Sequence, residues 1–187
     1  MILSSMKLYR KTLLLMGWMV ALQMVASEPA DAVIAHIRSE YNKAHATMKE
    51  NARHSPDRSD MVTTLHYMVP GCGPTTETLQ FFFRMKQYGE EQFVDYQLYF
   101  VTRKYNVAAR KYYEEYLFDD ETGMLVFVAK QDYDDNLKRV EKRLYYRDGE
   151  LYKATGGTLG KYEDELAYML GQDYRQAFNN LIRNAKE

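Results

Sequence analysis

Cysteine, histidine and long apolar runs are scarce in this 187-residue chain, and each shortage excludes a class of protein. The only cysteine, Cys72, cannot form an internal disulfide, so the stability of the fold has to come from packing. The histidines occur in none of the spacings, such as HExxH, that hold zinc. We therefore expect no metal and no cofactor. The four histidines are His36, His45, His54 and His66.

Neither sign of charge dominates, with 25 basic and 26 acidic residues in the whole chain. Residues 1–27 carry three of the basic residues and none of the acidic ones, so 28–187 has a net charge of −4. A weakly acidic chain has no general field that would attract nucleic acid. We expect no nucleic-acid partner.

The N-terminal residues have the pattern of an export signal. Lys7, Arg10 and Lys11 precede an apolar run from Leu13 to Val25, and small residues allow cleavage before Glu28. This run is shorter than the ~20 residues that span a bilayer. The sequence predicts a signal peptide at 1–27, a single domain at 28–187, a periplasmic or secreted location and no membrane span after cleavage. An uncleaved N-terminal anchor is the alternative, and the lack of disulfides favours a bacterial periplasm.

The apolar periodicity predicts an α+β fold. It is helical over residues 28–50, alternates from Met61 onward, and becomes helical again over 162–184. Short Asp- and Gly-containing links between the alternating segments predict hairpins, because parallel strands need long crossovers. We expect an N-terminal helix, a strongly curved antiparallel meander of about seven strands, and a C-terminal helix packed on the sheet. The predicted strands are 63–69, 77–86, 93–103, 110–119, 124–131, 139–147 and 150–154.

No catalytic motif is present in the sequence. The segment from Gly156 to Lys161 is one residue short of a phosphate-binding loop and continues with Tyr162 in place of Ser or Thr. Glu114 and Glu115 are adjacent on one predicted strand, so their side chains point to opposite faces and cannot form a glycosidase pair. Cys72 lies in a Pro- and Gly-rich turn, where we interpret it as a loop residue.

Aromatic residues are abundant, with 17 Tyr and 8 Phe. Alternation places several rings among charged and amide side chains, on the sheet face opposite the predicted core. Such a face could stack on sugars or hold an extended chain, whereas ordinary cross-strand pairing is the simpler interpretation. The predicted ligand-binding residues are Phe82, Tyr99, Tyr113, Tyr145, Arg84 and Arg143.

Three functions remain open on the sequence. The leading hypothesis is an exported, non-catalytic binding module for a glycan, a peptide or a partner protein. The element order also resembles that of the periplasmic lipoprotein carriers, which implies a hydrophobic ligand held between sheet and C-terminal helix. The third is a hydrolase that uses carboxylates brought together by the fold, which requires a pair of inward-facing acids in a cleft with raised pKa values. The carrier cavity would lie near Phe81, Leu98, Met169 and Phe178.

Overall fold

The computed structural model describes residues 30–53, 59–88 and 93–186. The chain divides into two compact units, 1–33 and 34–187, and the sheet and the candidate site belong to the second. Of the first unit only the start of a helix is described. The predicted signal peptide at 1–27 lies outside the described residues.

The described residues form two helices and one seven-stranded antiparallel sheet in the order β1 to β7. Each strand pairs with its sequence neighbours, and β1 and β7 are the two edges, so the curved sheet is not closed. The predicted α+β meander is therefore confirmed. Its elements are α1 (Ala30–Asn51), β1 (Asp60–Val69), β2 (Gly73–Tyr88), β3 (Phe93–Val107), β4 (Arg110–Phe118), β5 (Leu125–Tyr133), β6 (Arg139–Arg147), β7 (Glu150–Gly156) and α2 (Glu163–Lys186).

The turn between β6 and β7 shows how local sequence fixes strand pairing. Asp148 and Gly149 both have positive φ, at 52° and 85°. This is the backbone of the two-residue hairpin turn that Asp-Gly favours, because its twist matches that of the flanking strands. The turn places Arg147 opposite Glu150.

The main core lies between α2 and one face of the sheet, which we call the α2 side. Phe178 of α2 is fully buried and its ring lies 6.4 Å from that of Phe81, while Tyr174 contacts Tyr116 edge to face at 5.1 Å. The C-terminal helix therefore packs on the sheet as predicted. The buried core residues on the sheet are Leu79, Phe81, Leu98, Val101, Tyr116, Phe118, Leu125, Val128, Leu144 and Tyr146.

The stripe of α2 that faces the sheet differs in part from the one that apolar periodicity predicts, which is Leu166, Met169, Leu170, Tyr174, Phe178 and Leu181. Ala167, Gly171, Tyr174 and Phe178 are buried at helical spacing, whereas Leu166 and Met169 are 62% and 61% exposed. Gly171 allows a close approach, because a Cβ there would lie 2.6 Å from a methyl carbon of Leu125. The prediction considered only large apolar side chains, so it did not include Ala167 and Gly171, the two small residues of the contact.

Helix α1 packs on the opposite face, which we call the α1 side. Ile34, Ile37 and Ala44 are buried, and the ring of Tyr41 lies 5.0 Å from that of Phe127 and 6.0 Å from that of Phe100. The two helices thus cover opposite faces of the sheet. The predicted aromatic-polar face is the face that α1 covers in part.

A β-bulge in β3 changes which residues reach each face. Phe82 pairs with Phe100 and Phe83 pairs with Leu98, so Tyr99 is an extra residue on β3. Tyr99 and Phe100 consequently both lie on the α1 side. Strict alternation predicts instead that Phe100 lies on the same face as Leu98. Beyond the bulge the alternation is reversed.

The long β2–β3 hairpin extends beyond its neighbours as a two-stranded arm, residues 83–88 and 93–98. Its root contacts α2 through Phe83, whose ring is 5.3 Å from that of Phe178. On the other face Arg84 binds both carboxylate oxygens of Asp120 in the β4–β5 turn, at 2.9 and 2.8 Å. Lys86 and Gln97 donate to the carbonyl oxygen of Asp120. These side-chain contacts therefore hold the arm against the β4–β5 turn and α2 in the region where it has no third strand to pair with.

Candidate functional site

The four predicted rings all lie on the α1 side but do not form one exposed surface. Tyr99 and Tyr145 are each 1% exposed. The ring of Tyr99 contacts that of Phe82 at 6.5 Å, and Tyr145 lies beneath Arg38 of α1, whose guanidinium carbon is 5.9 Å from the ring centre. Tyr113 lies apart from the Tyr99–Phe82 pair and from the Tyr145–Arg38 pair. Ligand binding by these four residues stays a prediction. Tyr113 lines a cleft on the sheet, and Phe82 lines a smaller pocket beside the end of α1.

The two predicted arginines already have carboxylate partners. Arg84 binds Asp120 and also lies 4.7 Å above the ring of Tyr99. Arg143 donates to Glu141 at 2.6 Å, and that contact together with the charge of Glu141 raises the pKa of the arginine further. Arg84 thus links β2 to the β4–β5 turn, whereas Arg143 pairs with a residue of its own strand.

A cleft of about 500 Å³ lies on the sheet between β2 and β6, and we call it the basic cleft. Tyr113 on its floor is two residues from Glu115, which contacts α1, so this floor belongs to the α1 side. Five strands contribute to the cleft. Its lining residues are Thr76, Thr78, Lys104, Tyr105, Asn106, Lys111, Tyr112, Tyr113, Gln131 and Arg139.

Three of the described lining residues are cationic, and none is acidic. No carboxylate of the described residues lies within 4.0 Å of the charged nitrogens of Lys104, Lys111 or Arg139. Several cations elsewhere on the sheet are paired with carboxylates within that distance, although Arg110 and Lys153 have no such partner among the described residues. These paired cations are Arg84, Arg103, Lys130, Lys142 and Arg143.

The cleft's aromatic floor is fixed by a buried carboxylate. The Tyr113 hydroxyl donates to Oε1 of Glu115 at 2.7 Å, and Tyr41 of α1 donates to Oε2. Burial, together with these hydrogen bonds to an anion, raises the pKa of both tyrosines, so both stay protonated donors. Nε2 of His45 lies 3.5 Å from Oε1 of the same carboxylate. One side chain, Glu115, therefore positions both a helix residue and a cleft residue.

The cleft offers side chains, rather than main-chain groups, to a ligand. The cleft crosses β2 to β6, and its strands are hydrogen-bonded to each other along the ladder. Neighbouring strands lie ~4.8 Å apart, so the outer two of five are about 19 Å apart. Lys104 lies 5.7 Å above the Tyr113 ring, beside the hydroxyl of Thr78 and the amide of Gln131. This surface suits a short extended ligand that lies across the strands.

The residues of the predicted carrier cavity are mostly packed against each other. Phe81, Leu98 and Phe178 belong to the buried core, and Met169 is on the exposed side of α2. None of the described helices is long and apolar enough to cross a membrane.

Two acids of the described residues, Glu77 and Glu163, do not have the raised pKa that the hydrolase hypothesis expects. Burial favours the neutral form of Glu77 and Glu163, but hydrogen bonds from Arg103 to Glu77 and from Lys142 to Glu163 outweigh it and lower both pKa values. These carboxylates are therefore held as anions. Within the described part of the chain, no group of three His, Cys, Asp or Glu residues is placed to hold a metal ion.

The sequence prediction missed the cations of the cleft because of the bulge at Tyr99. Strict alternation placed Arg103 on the same face as Tyr99, but the extra residue moves Arg103 to the α2 side and Lys104 into the cleft. Lys111 and Arg139 lie at strand ends, where no periodicity singles them out. Cys72 is exposed, in the turn after β1, and lies outside the cleft.

Comparison of the chain with protein-family models, curated proteins and solved structures finds no match.

Proposed function

We propose that this protein is an exported, non-catalytic binding module whose ligand lies in the basic cleft. The observation that carries this proposal is the set of unpaired cations around a tyrosine floor in a cleft of about 500 Å³. Unpaired charges and a positioned ring are available for a ligand without disturbing the fold. The buried Tyr99 and Tyr145 then support the sheet beneath α1.

The export step rests on the N-terminal sequence alone. A basic start, a short apolar run and small residues before Glu28 favour recognition and cleavage by signal peptidase. The test is intact-mass measurement on the protein recovered from the exported fraction of its host. A mass that begins at Glu28 supports export with cleavage, and a full-length mass in the membrane fraction contradicts it.

The binding function can be tested by NMR on ¹⁵N-labelled protein. We would titrate it with a panel of neutral and acidic oligosaccharides and with short extended peptides. The proposal expects amide shifts clustered on the cleft segments, namely residues 76–78, 104–106, 111–113 and the two positions Gln131 and Arg139. Shifts confined to β1, β7 or α2 would overturn the assignment of the cleft, as would the absence of binding across the whole panel.

A matched pair of variants makes the titration specific. Thr78→Glu places a negative charge in the cleft, whereas Thr155→Glu introduces the same change on β7, where the side chain does not line the cleft. We expect the first variant to weaken binding of any ligand found and the second to leave it unchanged. Equal effects of the two variants would contradict a site in the cleft.

A further inference from the structure

We infer that the ligand of the basic cleft is an acidic oligosaccharide, a chain of sugars that carry carboxylate or sulfate groups. This inference rests on the proposed function and specifies its ligand class. Its two parts are a charge argument, which requires an anion, and a shape argument, which requires a chain of sugars.

The charge argument starts from the contrast between the cleft and the rest of the chain. The chain has a net charge of −1, yet the described lining of the cleft has three cations and no acid. The nearest buried acid, Glu115, is only 5% exposed and already accepts two tyrosine hydroxyls. Lys104, Lys111 and Arg139 thus present a local positive field without a protein counter-charge, which favours an anionic ligand.

The shape argument excludes a peptide bound as an added strand. Such a peptide needs a free strand edge, but the cleft crosses β2 to β6, whose main-chain groups pair with each other. Recognition has to use side chains. The ring of Tyr113, with its hydroxyl held by Glu115, presents an aromatic face, and Thr78 supplies a hydroxyl. Gln131 supplies its amide nitrogen, since its amide oxygen accepts from Nη2 of Arg139. Ring faces pack on the C–H faces of sugars, and hydroxyls and amides match sugar hydroxyls.

The first experiment is calorimetric titration with tetragalacturonate and with its fully methyl-esterified form. The two probes share the same sugar backbone, and only the first is charged. A heparin-derived tetrasaccharide tests sulfate in place of carboxylate. We expect at least one acidic probe to bind, the ester to bind much more weakly, and affinity to fall as salt is added. If neither acidic probe binds, or if ester and acid bind equally, the inference is overturned.

The second experiment uses exposed cations, so that folding is not affected. Lys104→Gln, Lys111→Gln and Arg139→Gln are each expected to weaken binding of the acidic probe about fivefold, since an exposed charge pair contributes up to about 1 kcal/mol. Lys153→Gln, an exposed lysine of β7 outside the cleft, is the matched control and should leave affinity unchanged. Equal losses in all four variants would indicate general charge attraction and contradict the inference.

Two further probes separate the ligand class from the binding function. Polyglutamate and oligo(dT) carry negative charge on a peptide and on a nucleic acid. If either binds the cleft as tightly as the acidic sugars, the inference of an oligosaccharide fails while the cleft remains a binding site. If only a neutral sugar shifts the cleft amides by NMR, the charge argument fails and the proposed binding module stands.

Discussion

The guanidinium of Arg103 binds both carboxylate oxygens of Glu77, with Nε 3.0 Å from Oε1 and Nη2 2.9 Å from Oε2. Its remaining nitrogen, Nη1, lies 3.2 Å from Glu114, which faces Arg103 in register across β3 and β4. Glu77 and Glu114 are 6% and 3% exposed. Arg103 therefore pairs with two buried anions on the α2 side, beside the hydrophobic core, and Lys130, 3.8 Å from Glu114, supplies a second positive charge.

Removal of the Arg103 cation should strongly destabilise the fold. Arg103→Met keeps the aliphatic stem but leaves two buried carboxylates without their shared partner. We expect a loss of about 3–5 kcal/mol in the free energy of unfolding, measured by urea denaturation. Arg143→Met is the control, because its pair with Glu141 is about half exposed and should contribute less than about 1 kcal/mol. Similar losses in both variants would contradict the role given to burial.

The Glu77 carboxylate predicts acid sensitivity. Burial acts to raise the pKa of Glu77, but hydrogen bonds from Arg103 and Tyr67 and the charge of Arg103 lower it below its ordinary value of 4.5. The unfolded carboxyl therefore binds its proton at higher pH than the folded one, so stability is complete above pH 4.5 and falls as pH drops through the folded pKa. Urea midpoints between about pH 6 and pH 3 should decrease steadily. A constant midpoint would contradict this ionised state.

Tyr145 should act through packing rather than through direct ligand contact. Because Tyr145 is 1% exposed between the sheet and α1, Tyr145→Ala leaves a void and should cost about 3–5 kcal/mol. Tyr145→Phe loses only a long 3.4 Å contact with Arg38 and should cost less than about 1 kcal/mol. Thermal denaturation of the two variants measures the difference. A stable Tyr145→Ala protein with weakened ligand binding would instead support the sequence prediction of a contact residue.

Gly156 at the end of β7 should not tolerate a side chain. Its φ is +97°, and a Cβ there would overlap the carbonyl oxygen of Glu141. We expect Gly156→Ala to cost more than about 3 kcal/mol, beyond the roughly 1–2 kcal/mol of left-handed strain. Gly71→Ala is the matched control, since Gly71 also has positive φ but has no neighbour within 4 Å. Equal unfolding midpoints for the two variants would show that the overlap does not matter.

Asp120 should hold the β2–β3 arm in place. It binds Arg84 through its carboxylate and Lys86 and Gln97 through its carbonyl oxygen. Asp120→Ala removes the first contact and should speed hydrogen exchange of the arm amides, while amides of β4 to β6 keep their protection. The control is Glu150→Ala, an exposed residue at the start of β7, far along the chain from the arm. Faster exchange throughout the sheet would contradict a local role.

Periodicity and turn chemistry predicted most of the fold, but they do not identify which side chains contact each other. The switch from helical to alternating pattern at Met61 and the Asp148-Gly149 turn report local backbone preference, which a sequence displays directly. The bulge at Tyr99 depends on how β3 pairs with β2. The sequence of β3 alone therefore does not show that Arg103 and Lys104 exchange faces. Tyr113 was predicted because it alternates. The link from its partner Glu115 to Tyr41 of α1 depends on tertiary packing, which the alternation does not show.

The arm formed by residues 83–88 and 93–98 has a consequence for how the molecule opens. Two strands alone are barely stable in water, and this pair receives no third strand. Its order depends on Asp120 on one face and on Phe178 on the other. We therefore expect the outer part of the arm, beyond the core residues Phe83 and Leu98, to open with its own, smaller free energy while the rest of the sheet and the basic cleft remain folded.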